Sequence, residues 1–322
     1  MHYPFMPRSR FCWLAGLLGL WLTLTGSPHA NAAEPTLVIG DQARILRSLL
    51  ETSGVLQGIP YTLRWANFQG AAPLFEAQRA DAVDTSYAGD LPVIQALAGG
   101  VKLTIILTET GTGKGNAIIV PADSPLKRVN DLKGQQVVVS SAAGSISQNL
   151  LYLALQQAGL SRQDATIRFV LPTDASAAFS SGQIRAWATF DPYLAVAEEN
   201  GARQLTDASH LTPSFSFLTA TTASLDDPAK RQAIRDFARR VLRAREWAIR
   251  HPSLYAQSYA KLSQLPYRTA QLITSRAPSG SRSVNASDIA SLQATADRFY
   301  GYGILPEKVQ VSDHAAPDFL QK

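Results

Sequence analysis

The chain has 322 residues, 46% of them hydrophobic and 17% charged, enough apolar material to bury the core of one large domain or two medium ones. Lys+Arg 30 against Asp+Glu 25 gives a net charge of +5, too weak a surplus to argue for a nucleic-acid partner. The single cysteine, Cys12, lies in an N-terminal leader, so the rest of the chain excludes a cysteine nucleophile, a zinc–thiolate site, an iron–sulfur cluster and any disulfide.

The leader comes first in chain order. Arg8 and Arg10 precede an apolar run from Phe11 to Leu24, and the small-residue stretch Ala30-Asn31-Ala32 follows. These are the basic, apolar and cleavage regions of a secretory signal, residues 1–32, cut after Ala32. An uncleaved anchor is the alternative, but the run is too short to cross a bilayer core of about 30 Å. Cleavage removes two arginines and no acid, so the net charge falls from +5 to +3. Such a signal implies an exported, periplasmic protein.

Strands and helices then take turns. Thr36 to Ile39 is a short β-rich run, and Ala43 to Ser53 switches to helical spacing through Ile45, Leu46, Leu49 and Leu50. The same exchange recurs in Tyr61 to Trp65 before Pro73 to Ala80, in Ala82 to Ser86 before Pro92 to Leu97, and in Leu103 to Leu107. The pattern predicts a βαβ layout, its sheet covered by helices on both faces.

The stretch TGTGKGNAIIV, residues 110–120, has the look of a phosphate loop, but its spacing is wrong. A P-loop needs glycine where Thr108 stands and Ser or Thr where Gly115 stands, and a dinucleotide fingerprint needs glycine at Asn116. What remains is a glycine-rich segment leading into a strand, Ala117 to Val120.

A second α/β block follows. Val137 to Val139 leads through SSAAGS to a helix from Ile146 to Ala158, then come Thr166 to Leu171, a helix from Ala175 to Ser181, Ala186 to Phe190, and a helix beginning near Pro192. Beyond Phe215 to Thr219 the tail reads as helical from Pro228 to Tyr300, broken at Pro252, Pro266 and the loop APSGSRSVN. Its arginine cluster, 228–250, alternates with Ile234, Phe237, Val241, Leu242 and Ala248, which predicts a solvated face on a packed helix. His210, His251 and His314 are scattered, so no metal site is expected.

The stretch LPTDASAAFSSGQIRAWATFDPY, residues 171–193, resembles the second-lobe signature of periplasmic binding proteins for aliphatic sulfonates, taurine and nitrate, the substrate-capture subunits of ATP-driven importers. WANFQGAAPLFEAQRADAVDTSYAGDLPVIQALAGG resembles that family's first-lobe run, and SPLKRVNDLKGQQVVV and LLYLALQQAGL also match. The resemblance spans residues 36–206. It implies a two-lobed, type II periplasmic-binding-protein fold of class α/β, each lobe a mostly parallel sheet flanked by helices. Lobe one would take 33–116 plus 220–322 and lobe two 117–219, with the ligand cleft between and the glycine segment at the first crossover, where a hinge needs backbone freedom.

Open α/β sheets bind ligands beyond their strand C-termini, where helix N-termini present N–H groups and a positive dipole end. The helix starts at Gly70-Ala71 and Gly144-Ser145 therefore suit an oxyanion, or are ordinary caps. By resemblance Gln42 is a polar ligand-facing position, Gly89-Asp90 the loop after the third strand, and Asp191 and Tyr193 the DPY of the second lobe. Asp191 would repel an anion, so it caps the helix at Pro192, orders its loop or receives a substrate amine. Trp187 and Phe190 are pocket walls or core. Arg44 either forks onto a sulfonate or faces solvent. Gly111 is expected to border the ligand.

Departures from the family pattern fall at Asp41, Leu91, Ile146 and Gln148, and two extra residues lengthen SSAAGS. They imply a rebuilt tail pocket around a retained anion grip. The leading ligand is an alkyl or amino-alkyl sulfonate, ahead of nitrate or a thiamine-pyrimidine precursor. No cofactor is expected, and the partner is an ABC permease for a monomeric binding protein. Desulfinase relatives need a cysteine nucleophile, cofactor-biosynthesis relatives act in the cytoplasm, and a sensory module would carry a transmembrane or signalling segment. These considerations disfavour the enzymatic and sensory readings.

Overall fold

A computed structural model describes residues 34–211 and 213–321. The expected signal peptide lies outside the described residues. The first half of the chain runs β1 (Thr36–Gln42), α1 (Ile45–Thr52), β2 (Thr62–Phe68), α2 (Ala71–Arg79), β3 (Thr85–Gly89), α3 (Asp90–Ala98), β4 (Leu103–Gly111), β5 (Asn116–Val120), β6 (Gln136–Ser140) and α4 (Ile146–Gln157). It continues through β7 (Thr166–Val170), α5 (Pro172–Ser180), β8 (Trp187–Phe190), α6 (Tyr193–Glu199), β9 (Arg203–Asp207), β10 (Ser214–Thr221), α7 (Thr222–Asp226), α8 (Pro228–Arg250), α9 (Pro252–Ser263), α10 (Tyr267–Ser275), β11 (Gly280–Ser283) and α11 (Ala286–Gly301). Among the described residues no helix is long and apolar enough to cross a membrane.

Two sheets result. The first has strand order β11-β4-β10-β3-β1-β2 and the second β7-β6-β8-β5-β9. β1 pairs parallel with β2 and β3, and β6 pairs parallel with β7 and β8, as helical crossovers demand. The strands that arrive from the other sheet run the opposite way: β10 is antiparallel to β3 and β4, and β5 to β8 and β9. The chain thus changes sheet twice, once after Gly111 and once before Ser214.

Apolar clusters cover both faces of each sheet. Leu37 and Ile39 pack with α1 and with Ile234, Phe237 and Val241 of α8, while Ile105 and Phe217 pack with α3 and α11 on the other side. In the second sheet Ile118, Val137 and Val139 meet α4, and Ala117, Ile119 and Val138 meet α5 and α6. Strands buried on both sides read as unbroken β-branched runs, which is why NAIIV and QVVVS were legible.

Five features differ from the sequence expectation. β10 pairs with the first sheet along its whole length, so the chain returns there at Ser214 and not at residue 220. Similarly, β5 starts at Asn116, which pairs with Phe190. The loop APSGSRSVN contains β11, which pairs with the edge of β4 from Gly280 to Ser283, and Arg203–Asp207 forms a strand, β9, that was not anticipated. Finally, the arginines of α8 are not all on a solvated face. Arg245 is 1% exposed and holds Glu109 through Nε–Oε1 at 3.1 Å and Nη2–Oε2 at 2.8 Å.

Asp41 shows how sequence fixes a local turn. It ends β1 and accepts backbone N–H bonds from Gln42, Leu46 and Arg47, so it serves as the acceptor for the open start of α1. Burial pushes its pKa up to about 6 against those bonds. Asp41 is therefore a cap, not part of a remodelled tail pocket.

Candidate functional site

A cavity of about 450 Å³ lies where the strand C-termini of the two sheets face each other. The starts of three helices open on it: α2 through Ala71 and Ala72, α3 through Gly89 and Asp90, and α4 through Gly144, Ser145 and Ile146. The first turn of any α-helix leaves N–H groups without an intrahelical partner, and here helix starts from both sheets line one cavity. α2 and α3 have glycine at the N-cap, so no cap side chain fills those starts. α4 is capped by Ser145, whose Oγ accepts from Gln148 N at 3.3 Å and keeps its own proton to donate. Ser141 Oγ, also on the wall, is buried without a hydrogen-bond partner.

The α4 start needs Gly144. Its φ is +81°, and a Cβ there would lie 2.6 Å from Gln95 Cγ, while its N–H donates to Gln148 Oε1 at 2.7 Å. Gln148 also donates to Tyr152 Oη at 3.0 Å, so the glutamine braces the turn from behind. Close approach between the halves is general: Gly89 packs on Ile146, Gly70 on Ser141, and the Gln69 side chain accepts from Thr173 Oγ1 at 2.8 Å.

The back wall carries charge. Asp191 follows β8, and its Oδ1 accepts from Ala195 N at 3.1 Å, capping α6. Arg276, just beyond α10, reaches it with Nη1 at 3.4 Å and reaches Glu198 with Nη2 at 2.7 Å. Burial pushes the Asp191 carboxyl up to about 7; Arg276 and the Ala195 N–H oppose that rise and Glu198 reinforces it. Asp191 Oδ2 is buried and has no hydrogen-bond partner among the described residues. Asp90, at the opposite helix start, is likewise pushed up by burial, to about 6, against the Leu91 N–H and the charge of Arg298.

The two inter-sheet segments touch at Gly113, whose φ is +79° and whose Cβ would lie 2.6 Å from Ser209 Cα. Gly111, two residues before, lines the cavity beside Ser214.

The family described as ABC transporter, phosphonate, periplasmic substrate-binding protein matches residues 55–241. An aliphatic sulfonates-binding protein of Escherichia coli (strain K12) is 33% identical over 308 residues, 92% of this chain and 93% of that one. The chain belongs to the periplasmic substrate-binding proteins of ABC transporters. Among solved structures, the alkanesulfonate-binding protein SsuA from Xanthomonas axonopodis pv. citri, bound to MOPS, superposes on this binding protein with TM-score 0.81 at 31% identity, covering 88% of this chain and 99% of that one. A cysteine-to-serine mutant of DszB, a desulfurization enzyme, in complex with biphenyl-2-sulfinic acid shares the fold at TM-score 0.69 and 16% identity, over 89% of this chain and 98% of that one.

In this binding protein the cavity gathers Gln42, Ala71, Gly89 and Asp90 from the first sheet's side. Gly111, Gly144, Ser145 and Asp191 join them from the crossover and the second sheet. Three expected positions do not line it. Arg44 is exposed, and its Nη1 donates to Leu262 O at 2.8 Å, because a left-handed backbone at Arg44 turns the side chain toward the end of α9. Gly70 is the N-cap of α2 and sits behind Ala71 against Ser141. Tyr193 donates to Gln69 O at 3.3 Å and so spans the rim. Trp187 is core, fully buried and bonded to Ser140 Oγ, whereas Phe190 lines the cavity. Sequence reading missed Arg276 and Asn149 in the wall. Arg276 lay in a tail read only as helical, and its partner Asp191 is 85 residues away.

Proposed function

We propose that this protein captures a small organic sulfonate in the cavity between its two sheets and hands it to the permease of an ABC importer. The observation that carries this is the convergence of helix N-termini from both sheets on one cavity. A sulfonate presents three charged oxygens with no proton to lose near neutral pH, so it is matched by N–H and hydroxyl donors rather than by a base. The names of the relatives support the same ligand class, and a cavity of about 450 Å³ is larger than nitrate requires. The two sheets are then the cores of two lobes, 34–115 with 214–321 and 116–211, closing about the segments at Gly113 and Ser209. The protein works in the periplasm as a monomer after removal of residues 1–32, and it binds without turnover.

A second reading rests on Asp191. Its buried, unpartnered Oδ2 on the back wall suits a ligand donor, which favours an amino-alkyl sulfonate such as taurine over a plain alkyl chain.

Calorimetric titration of the purified protein with 1-propanesulfonate, taurine, nitrate and a thiamine pyrimidine separates these readings. Both sulfonates are expected to bind, with taurine the tighter if Asp191 takes the amine, and nitrate to bind weakly or not at all. Binding of the pyrimidine alone would sink the sulfonate reading.

A further inference from the structure

Asn149 sits on α4 four residues after the cap Ser145, is 2% exposed and lines the cavity. A neutral amide can face an anion with either end, and the two choices differ in sign: N–H₂ attracts it and the carbonyl oxygen repels it. In this protein the choice is made from outside the helix. Arg298 of α11 places Nη2 at 3.1 Å from Asn149 Oδ1. A guanidinium carries donors only, so the amide atom that meets it must be the oxygen. The N–H₂ group of Asn149 is thereby turned away from Arg298 and left for the cavity.

Arg298 is itself held for this task. Its Nη2 also meets Thr295 Oγ1 at 3.5 Å, and its charge stabilises the ionised form of Asp90, which lines the same cavity. Its Nε is buried without a partner, so the side chain forgoes one hydrogen bond to keep this position. The contact also crosses between the halves of the protein, because α11 packs on the first sheet and α4 on the second.

We propose that Asn149 is a ligand-binding donor and that Arg298 is the positioning residue that fixes its amide orientation across the cleft. This rests on the sulfonate reading above and deepens it. The anion then sits between the α4 start and the Asn149 amide, and the donor is correctly aimed only when the two halves approach.

The test is a double-mutant cycle read by calorimetric titration with 1-propanesulfonate. Asn149→Leu and Arg298→Met are each expected to weaken binding about tenfold to hundredfold, the range of one hydrogen bond to a charged group. Because both remove the same interaction, the double variant should lose little more than the weaker single variant. Arg298→Lys keeps a donor for Oδ1 and should retain most of the affinity. Asn149→Asp is nearly isosteric, keeps a partner for Arg298 and replaces the donor with a negative charge, so it should bind at least about a hundredfold more weakly. Wild-type affinity in Arg298→Met or in Asn149→Asp, or fully additive losses in the double variant, would overturn the assignment. Wild-type protein that takes up no sulfonate at all would instead overturn the functional reading on which it stands.

Discussion

Gly144→Asp is expected to abolish measurable binding of 1-propanesulfonate while leaving a folded protein. Three effects add at that position. An L-residue at φ +81° is strained by roughly 1–2 kcal/mol. Its Cβ would meet Gln95 at 2.6–2.9 Å, pushing α3 and α4 apart at the point where both open on the cavity. The new carboxylate also stands at a helix start that otherwise presents N–H groups, and at about 4 Å from a bound anion it costs on the order of 4 kcal/mol at an effective dielectric constant near 20. Gly144→Ala keeps the first two effects without the charge, so its loss should be intermediate. A titration in which Gly144→Asp matches the wild-type protein would show that the anion is held elsewhere.

Arg245→Met is expected to destabilise the protein by about 3–5 kcal/mol, read from urea unfolding. Arg245 and Glu109 are both about fully buried, 1% exposed each, and Glu109 also accepts the Tyr87 phenol at 2.5 Å. Removing the guanidinium leaves a carboxylate in the core with only a phenol to offset its charge. Arg245→Met with Glu109→Leu removes both charges and should recover much of the loss, because the pair mainly satisfies its own desolvation. The effect reaches the cavity through Tyr87, which lines it and whose carbonyl accepts from Gln42 Nε2 at 2.9 Å. A single variant within about 1 kcal/mol of wild type would contradict this account of the core.

Most of the fold was legible because local signals agreed with tertiary ones. AIIV and VVV are buried on both faces and LVIG carries a β-rich run with no competing pattern, and the helix starts at Ala71 and Ile146 follow glycine and serine at their N-caps. What escaped depends on distant partners. GSRS has no β-branched residue and becomes β11 only because the edge of β4 offers it a ladder. Arg245 looked like its neighbours on α8 and differs only because Glu109, 136 residues away, faces it. The candidate site divides in the same way. Backbone positions at helix starts were readable from glycine and capping residues, whereas Arg276, Asn149 and Arg298 are polar helical side chains whose roles follow from what lies opposite. Arg44 illustrates the reverse error: closeness in sequence to the first turn suggested a ligand contact, and a left-handed backbone sends it to Leu262.

The most direct measurement uses the chain's own composition. Met1, Met6 and Cys12 are its only sulfur-containing residues, so residues 33–322 contain no sulfur atom. A crystal of residues 33–322 grown with 1-propanesulfonate and measured at a long wavelength would therefore show anomalous sulfur density only from the ligand. The account predicts one strong peak inside the cavity, within hydrogen-bonding reach of the α2 and α4 starts and of Asn149 Nδ2. A peak outside the cavity, or a cavity empty of sulfur at saturating ligand, would contradict it.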